Sequence, residues 1–318
     1  MKHNQKIGLL ALTAIILILT FLFFKLGNNW DYALPKRGYK IAAIVLTGFA
    51  IAFATTIFQT ITNNRILTPN ILGLDSLYML LQTGLLFAFG SSNLTFLSKN
   101  VNFFISTAMM VLFASLLYQL LFRRAGSHLY MLLLVGLILG TFFQSMSSFM
   151  QVLIDPNEFL QIQDKMFASF SNVQSELLWI SVVVILGTLI WYRPNMKYLD
   201  ALSLGRDNAI NLGIEVEPLV KKSLFVVAVL ISISTALVGP ITFLGLLVIN
   251  LAHQFMKTYQ HRYLLASSAL FSIIALVGGQ LLVERVFEFS TTVSVMINFI
   301  GGIYFLYLLL KENSRVRS

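Results

Sequence analysis

Apolar residues along this chain neither alternate nor return at a helical period. They run on for about twenty positions, stop at a short polar stretch, and run on again. The runs fall at Ile7–Leu26, Tyr39–Thr62, Ile71–Phe89, Val101–Phe122, His128–Ile154, Leu177–Trp191, Val220–Val238, Ile241–Met256, Tyr263–Val283 and Val293–Leu310. A segment apolar on every side has no flank suited to water, and a helix of this length crosses the hydrocarbon of a bilayer. In lipid each backbone N–H and C=O must be satisfied within the chain, which a helix does unaided. The pattern predicts an all-α polytopic membrane protein of about ten transmembrane helices, with residues 1–318 as one transmembrane domain.

Composition leaves room for little else. Hydrophobic residues make up 57% of the chain and charged residues 11%, and the mean hydropathy is +0.82. The first run has the look of a signal-peptide core, but no small-x-small cleavage site follows it, so it is read as a retained helix. Lys and Arg set the orientation, since loops on the cytoplasmic side hold an excess of them. An even number of spans puts roughly two thirds of the 22 basic residues on the side of both termini. Both termini are therefore expected in the cytoplasm. The same bias accounts for the +9 net charge, whose dispersal over hinges argues against a nucleic-acid surface. The chain has no cysteine, hence no disulfide, thiolate metal site or cysteine nucleophile.

Several chemistries lack their residues. No G-x-x-x-x-G-K-[ST] loop is present to cradle a nucleotide, and His3, His128, His253 and His261 include no H-E-x-x-H. No enzymatic activity, cofactor or resident metal is expected. Ion-coupled carriers keep ionisable groups deep in their spans, where each costs roughly 2.5–3.5 kcal/mol on insertion scales. Here Asp75 stands near the start of a span, and Glu284 and Glu288 belong to a hinge. The energy for transport is expected from another subunit, with a self-sufficient secondary transporter as the opposed reading.

Three polar stretches exceed what a turn requires. Arg193–Pro218 is far longer than two adjacent helices need. Leu199, Leu202, Ile210 and Leu212 would give one or two short helices an apolar side, with Gly205 and Gly213 as stops. A structured element and an amphipathic linker on the membrane surface are both open. Asp155–Glu176 carries Phe159, Leu160, Ile162, Met166, Phe167 and Phe170 at the spacing of an interfacial helix, either a cap on the bundle or a vestibule wall. Leu34–Lys40 holds Lys36, Arg37 and Lys40 on the side where cations are disfavoured. With Arg285 they form either lipid-snorkelling groups or a docking surface for an acidic partner.

Several segments resemble one family. Residues 34–74 contain LPKR and QTITNNRILTPNILGL, similar to L-P-R and Q-x-x-x-x-N-P-L-A-x-P-x-x-L-G-[VI] of the FecCD permeases. Residues 201–214, ALSLGRDNAINLGI, resemble that family's A-L-x-L-G-x-x-x-A-x-x-L-G-[VI], and residues 236–253, ALVGPITFLGLLVINLAH, resemble its A-x-x-G-P-I-x-F-[VI]-G-L-[VI]-[VI]-P-H-[LI]-x-R. The chain departs from the family at Arg65, where proline is usual, at Ala33, where an arginine is usual, and at Asn250 after Ile249. ITNNRILTPNILGLDSLYMLLQT is similar to permeases for catecholate or petrobactin-type ferric siderophores of Gram-positive bacteria.

The resemblance implies the fold of a type II ABC importer permease, like that of vitamin B12 permeases, in the cell membrane. It implies uptake of an iron–siderophore complex, with haem and cobalamin as the family's other cargoes. Implied partners are ABC ATPase subunits, a second permease (an unlike chain ahead of a second copy), an extracytoplasmic substrate-binding lipoprotein and membrane lipid, with no nucleic acid. Coupling helices would occupy about residues 196–217, with Leu204, Gly205, Arg206, Asp207, Ala209, Leu212 and Gly213 received by the ATPase. Lys36, Arg37 and Arg285 would dock the binding protein. Asn64, Arg65 and Ile66 map to the cytoplasmic gate. The fifth span, with Gly136, Gly140, Gln144, Ser147 and Met150, would line the pathway.

Overall fold

The computed structural model describes residues 2–24, 30–94, 99–124, 129–171 and 173–316. The ends of the first and fifth runs at Lys25, Leu26 and His128 lie outside the described residues. Among the described residues every regular element is a helix: α1 (His3–Phe23), α2 (Trp30–Thr62), α3 (Leu74–Leu94), α4 (Lys99–Arg124), α5 (Leu129–Leu153), α6 (Pro156–Met166) and α7 (Ser175–Tyr192) in the first part. Then come α8 (Leu199–Leu202), α9 (Arg206–Asn211), α10 (Val216–Val238), α11 (Leu244–Met256), α12 (His261–Arg285) and α13 (Val293–Val316). Short 3-10 turns occupy Pro69–Leu72 and Arg193–Tyr198. Among the described residues seven helices are long and apolar enough to cross a membrane, and the apolar stretches Leu74–Gly90, Leu244–Met256 and Val293–Tyr307 are shorter. The chain is a multi-pass membrane protein.

α2 and α10 form the inside of the bundle, with 78% of the most apolar window of each buried, whereas the figures for α1 and α5 are 17% and 22%. Leu12, Ile15 and Ile16 on α1 and Leu137, Ile138, Phe142 and Phe149 on α5 face outward. Large apolar side chains turned outward in such rows match hydrocarbon rather than water. Several interior hydroxyls are satisfied by the carbonyl one turn back: Thr55 donates to Ile51 O, Thr56 to Ala52 O, Ser223 to Leu219 O and Ser234 to Leu230 O. Between helices, Tyr192 on α7 meets Ser223 on α10 at 2.6 Å.

The second helix begins nine residues before the apolar run suggests. It takes in Pro35 and places Lys36, Arg37 and Lys40 on helical turns rather than in a loop. The outer stretch 155–176 does form a helix, α6, capped by Asp155, whose carboxylate accepts from Asn157 N at 2.8 Å. Ile162 and Phe170 are buried, and Ser169 N donates to Val238 O at 2.8 Å, so this stretch lies packed on the bundle.

Candidate functional site

α12 runs the length of the bundle and defines its two ends. One end, the hinge end, carries the start of α12, the end of α2 and residues 193–215; the opposite end carries Arg285, the start of α2 and the end of α1.

At the hinge end the chain between α7 and α10 is a 3-10 turn followed by α8 and α9, with Gly205 at φ 106 and Gly213 at φ 78. Both values lie in the region that side chains avoid, which is what allows two helices this short to follow each other closely. The four leucine and isoleucine positions do not share a face. Leu199 and Leu202 are buried in the bundle, whereas Ile210 and Leu212 point outward with 50% and 64% exposure, joined by Leu204 at 58%. Ala209 is buried. Arg206 reaches Glu217 at 3.6 Å, an exposed pair of small energetic weight. α8 is thus part of the bundle, and the turn 203–205 with α9 presents an apolar and charged outer surface.

Beside it lies the loop that leaves α2. Asn63 takes φ 48 and Asn64 accepts from Ile66 N at 2.9 Å, which folds the chain back within three residues. The Arg65 carbonyl accepts from Gln59 Nε2 at 2.7 Å and from Asn250 Nδ2 at 3.2 Å. Asn250, to which the sequence assigned no role, therefore ties this loop to α11. The two residues stand 185 positions apart, so no local pattern signals the contact.

The 3-10 turn after the loop presses on α5. Gly73 stands at φ +78, and a Cβ there would lie 2.9 Å from Gly140 Cα; one on Gly136 would lie 2.9 Å from Leu72 Cα. These glycines let the turn come against α5 backbone to backbone, beside the packing of α3 on the same helix. Next to the contact opens a cleft of about 360 Å³ lined by Asn70, Gly73, Ser76, Gly140, Thr141 and Gln144 among others. Gln144 is exposed on it, and Met150 is half-buried further along α5. Ser147 corrects the expectation that it lines an open pathway. It is fully buried, 2.9 Å from Thr83 Oγ1 on α3 and 3.0 Å from Gln151 Nε2, because it stands one turn on from buried Phe143, in the stripe of α5 that packs on α3.

At the opposite end the cations are engaged. Arg37 donates from one nitrogen to the carbonyls of Phe21, Leu22 and Phe24 at 3.1, 2.9 and 3.0 Å, and Arg285 donates to Phe24 O at 3.1 Å. The last carbonyls of a helix have no partner within it and carry partial negative charge, so guanidinium groups satisfy α1 there. Lys40 pairs with Glu284 at 2.6 Å, both side chains largely covered. Lys36 is exposed, its ammonium 5.7 Å from the Tyr32 ring centre. Beneath α6, Lys165 reaches Gln82 Oε1 at 2.7 Å; burial holds its ammonium below the usual lysine range.

Comparison with known proteins gives this geometry its context. The chain is 61% identical over 98% of its length, and 99% of the relative's, to the petrobactin import system permease protein YclO of Bacillus subtilis. It is 36% identical over 88% of its length, and 79% of the relative's, to the petrobactin import system permease protein FatC of Bacillus anthracis. A solved structure described as an inward-facing conformation of a metal-chelate type ABC transporter superposes with a TM-score of 0.81, covering 98% of this chain and 100% of that one at 23% identity. The fold is that of a type II ABC importer permease. With the model of the FecCD transport family matching residues 10–311, nearly the whole transmembrane bundle, the chain belongs to that family.

Proposed function

We propose that this chain is the membrane permease subunit of an ABC importer that carries a ferric siderophore of the petrobactin type into the cytoplasm, energised by separate ATPase subunits. The observation that carries the reading is the near full-length identity with the petrobactin permease YclO. Such a subunit performs no bond chemistry. It offers a path and changes shape when its partners do.

In this reading the hinge end faces the cytoplasm, with both termini, and the surface of Leu204, Gly205, Arg206, Asp207, Ala209, Leu212 and Gly213 meets an ATPase subunit. Exposed Leu204, Ile210 and Leu212 beside charged groups support it, since apolar side chains on a water-facing hinge are covered best by a partner. Asn64, Arg65 and Ile66 form the gate, whose backbone Gln59 and Asn250 hold. The cleft at Gln144 belongs to the pathway wall, completed by a second permease, an unlike chain ahead of a second copy. At the opposite end Lys36 meets the acidic surface of a substrate-binding lipoprotein, and Arg37 and Arg285 shape the platform on which it stands.

The test is uptake of radiolabelled iron in a strain lacking this gene. Complementation should restore uptake of ferric petrobactin and leave ferric hydroxamate, haem and cobalamin uptake unchanged. Restoration of another chelate instead overturns the ligand, and uptake that persists in an ATPase-deficient strain overturns the importer in favour of a secondary carrier.

A further inference from the structure

One chain of hydrogen bonds at the hinge end joins three segments far apart in sequence. Asp200, on α8, accepts through a single carboxylate oxygen from His261 N at 2.7 Å and lies 2.7 Å from His261 Nδ1. The other ring nitrogen, Nε2, lies 2.7 Å from Thr60 Oγ1 on the last turn of α2. His261 is buried, with 5% of its side chain exposed, so the ring has no water to exchange these partners for. The Thr60 carbonyl then accepts from Asn63 N at 3.2 Å, and the Gln59 carbonyl from Asn64 N at 3.2 Å. The left-handed Asn63, where the loop folds back, stands three positions after Thr60.

From this geometry we propose that Asp200, His261 and Thr60 are positioning residues forming the mechanical link between the ATPase-facing hinge and the gate loop, an inference that rests on the importer reading. Leu199 and Leu202 fix α8 in the bundle on either side of Asp200, so α8 moves with the helices rather than against them. A push on the exposed turn 203–205 reaches the bundle through α8. Asp200 passes it to the first turn of α12, and the imidazole passes it across to α2 just where α2 gives way to the gate. Thr56 Oγ1 and Ser268 Oγ, 3.3 Å apart, join the same two helices further in, which keeps α2 and α12 from sliding independently. Local capping explains only the bond from His261 N to Asp200. Burial requires partners for both ring nitrogens, and the fold draws those partners from α8 and from the end of α2.

The experiment uses the reconstituted importer, with both permeases, ATPases and binding protein, carrying Thr60→Val, Thr60→Ser, Asp200→Ala or the pair Asp200→Ala with Thr60→Val. Thr60→Val should leave ATPase retention and basal hydrolysis unchanged while substrate moved per ATP falls at least fivefold. The ATP-dependent signal of a spin label at position 64 should vanish with it. Thr60→Ser, which keeps the hydroxyl, should restore both, and the pair should be no worse than the more severe single variant, as members of one chain behave. Wild-type transport per ATP in Thr60→Val, failure of serine to rescue, or additive losses in the pair each overturns the link. The importer reading fails separately, when the unaltered chain retains no ATPase.

Discussion

The two ends of the bundle spend their polar side chains differently. At the opposite end nearly every notable cation is turned inward on the protein: Arg37 and Arg285 hold the last carbonyls of α1, and Lys40 is paired with Glu284. At the hinge end one such clamp recurs, Lys6 donating to Phe255 O at the end of α11 at 2.6 Å. Beyond it the hinge leaves Leu204, Ile210 and Leu212 uncovered. Most of the charge at the first end is consumed by the fold, although Trp30, Val286 and Phe289 stay exposed there; at the second the fold leaves apolar side chains on the short hinge helices unused. On the proposed reading, the surface that meets the ATPase is marked less by its charge than by side chains for which the bundle has no use.

The sharpest way to break that contrast is to spoil the uncovered surface. Leu204→Asp together with Leu212→Asp should reduce ATPase copurification at least tenfold while membrane insertion and the thermal midpoint in detergent stay as they were. Substitutions at exposed positions away from buried features usually change stability by within about 0.5 kcal/mol. Full ATPase retention by this variant would show the hinge surface to be a membrane-lying linker after all. A collapse of the midpoint would show that the two leucines belong to the core.

The complementary change attacks the consumed charge. Lys40→Met leaves the Glu284 carboxylate largely covered, with Gln280 Nε2 still donating to it at 2.8 Å. Removing one partner of a covered ion pair costs about 3–5 kcal/mol, whereas replacing both partners with apolar residues is often neutral. Lys40→Met should therefore lower the thermal midpoint markedly, and Lys40→Met with Glu284→Leu should recover most of it. ATPase retention should follow folding and nothing else. If the single variant keeps the wild-type midpoint, the pair is not part of what fixes this end.

Much of the fold was legible because lipid imposes one loud rule, unbroken apolar length. The ten runs correspond to ten apolar helices, and where the reading slipped the cause is visible. Asp31, Lys36, Arg37 and Lys40 dilute the apolarity of residues 30–40 and Pro35 reads as a boundary, yet α2 runs through them with Pro35 inside it, giving up the backbone bond to Asp31 O. The site was less legible. Gly205 and Gly213 announce themselves by type, but the carbonyls that occupy Arg37 and Arg285 belong to the backbone and leave no mark in a sequence. Asn250 and His261 act through partners 185 and 61 positions away. Ser147 was misread because polarity on a span shows that a residue needs a partner, not whether that partner is cargo or the next helix.

The smallest expected effect separates the two kinds of cation within a single turn of α2. Lys36 is exposed beside Tyr32, while its neighbour Arg37 is bound to three carbonyls. Exposed charges act mainly on encounter rates, and their reach shrinks from about 10 Å at 0.1 M salt to about 3 Å at 1 M. Lys36→Gln should slow association of the binding protein by roughly two- to threefold at low salt, lose that difference at high salt, and leave the thermal midpoint alone. Arg37→Gln should do the reverse, costing about 1.5–3 kcal/mol of stability as hydrogen bonds to a charged group do, with any docking defect insensitive to salt. Stopped-flow association against salt, set beside thermal midpoints, reads both. Should Arg37→Gln show the salt-dependent defect and Lys36→Gln none, the carbonyl clamp is incidental and Arg37 itself faces the partner.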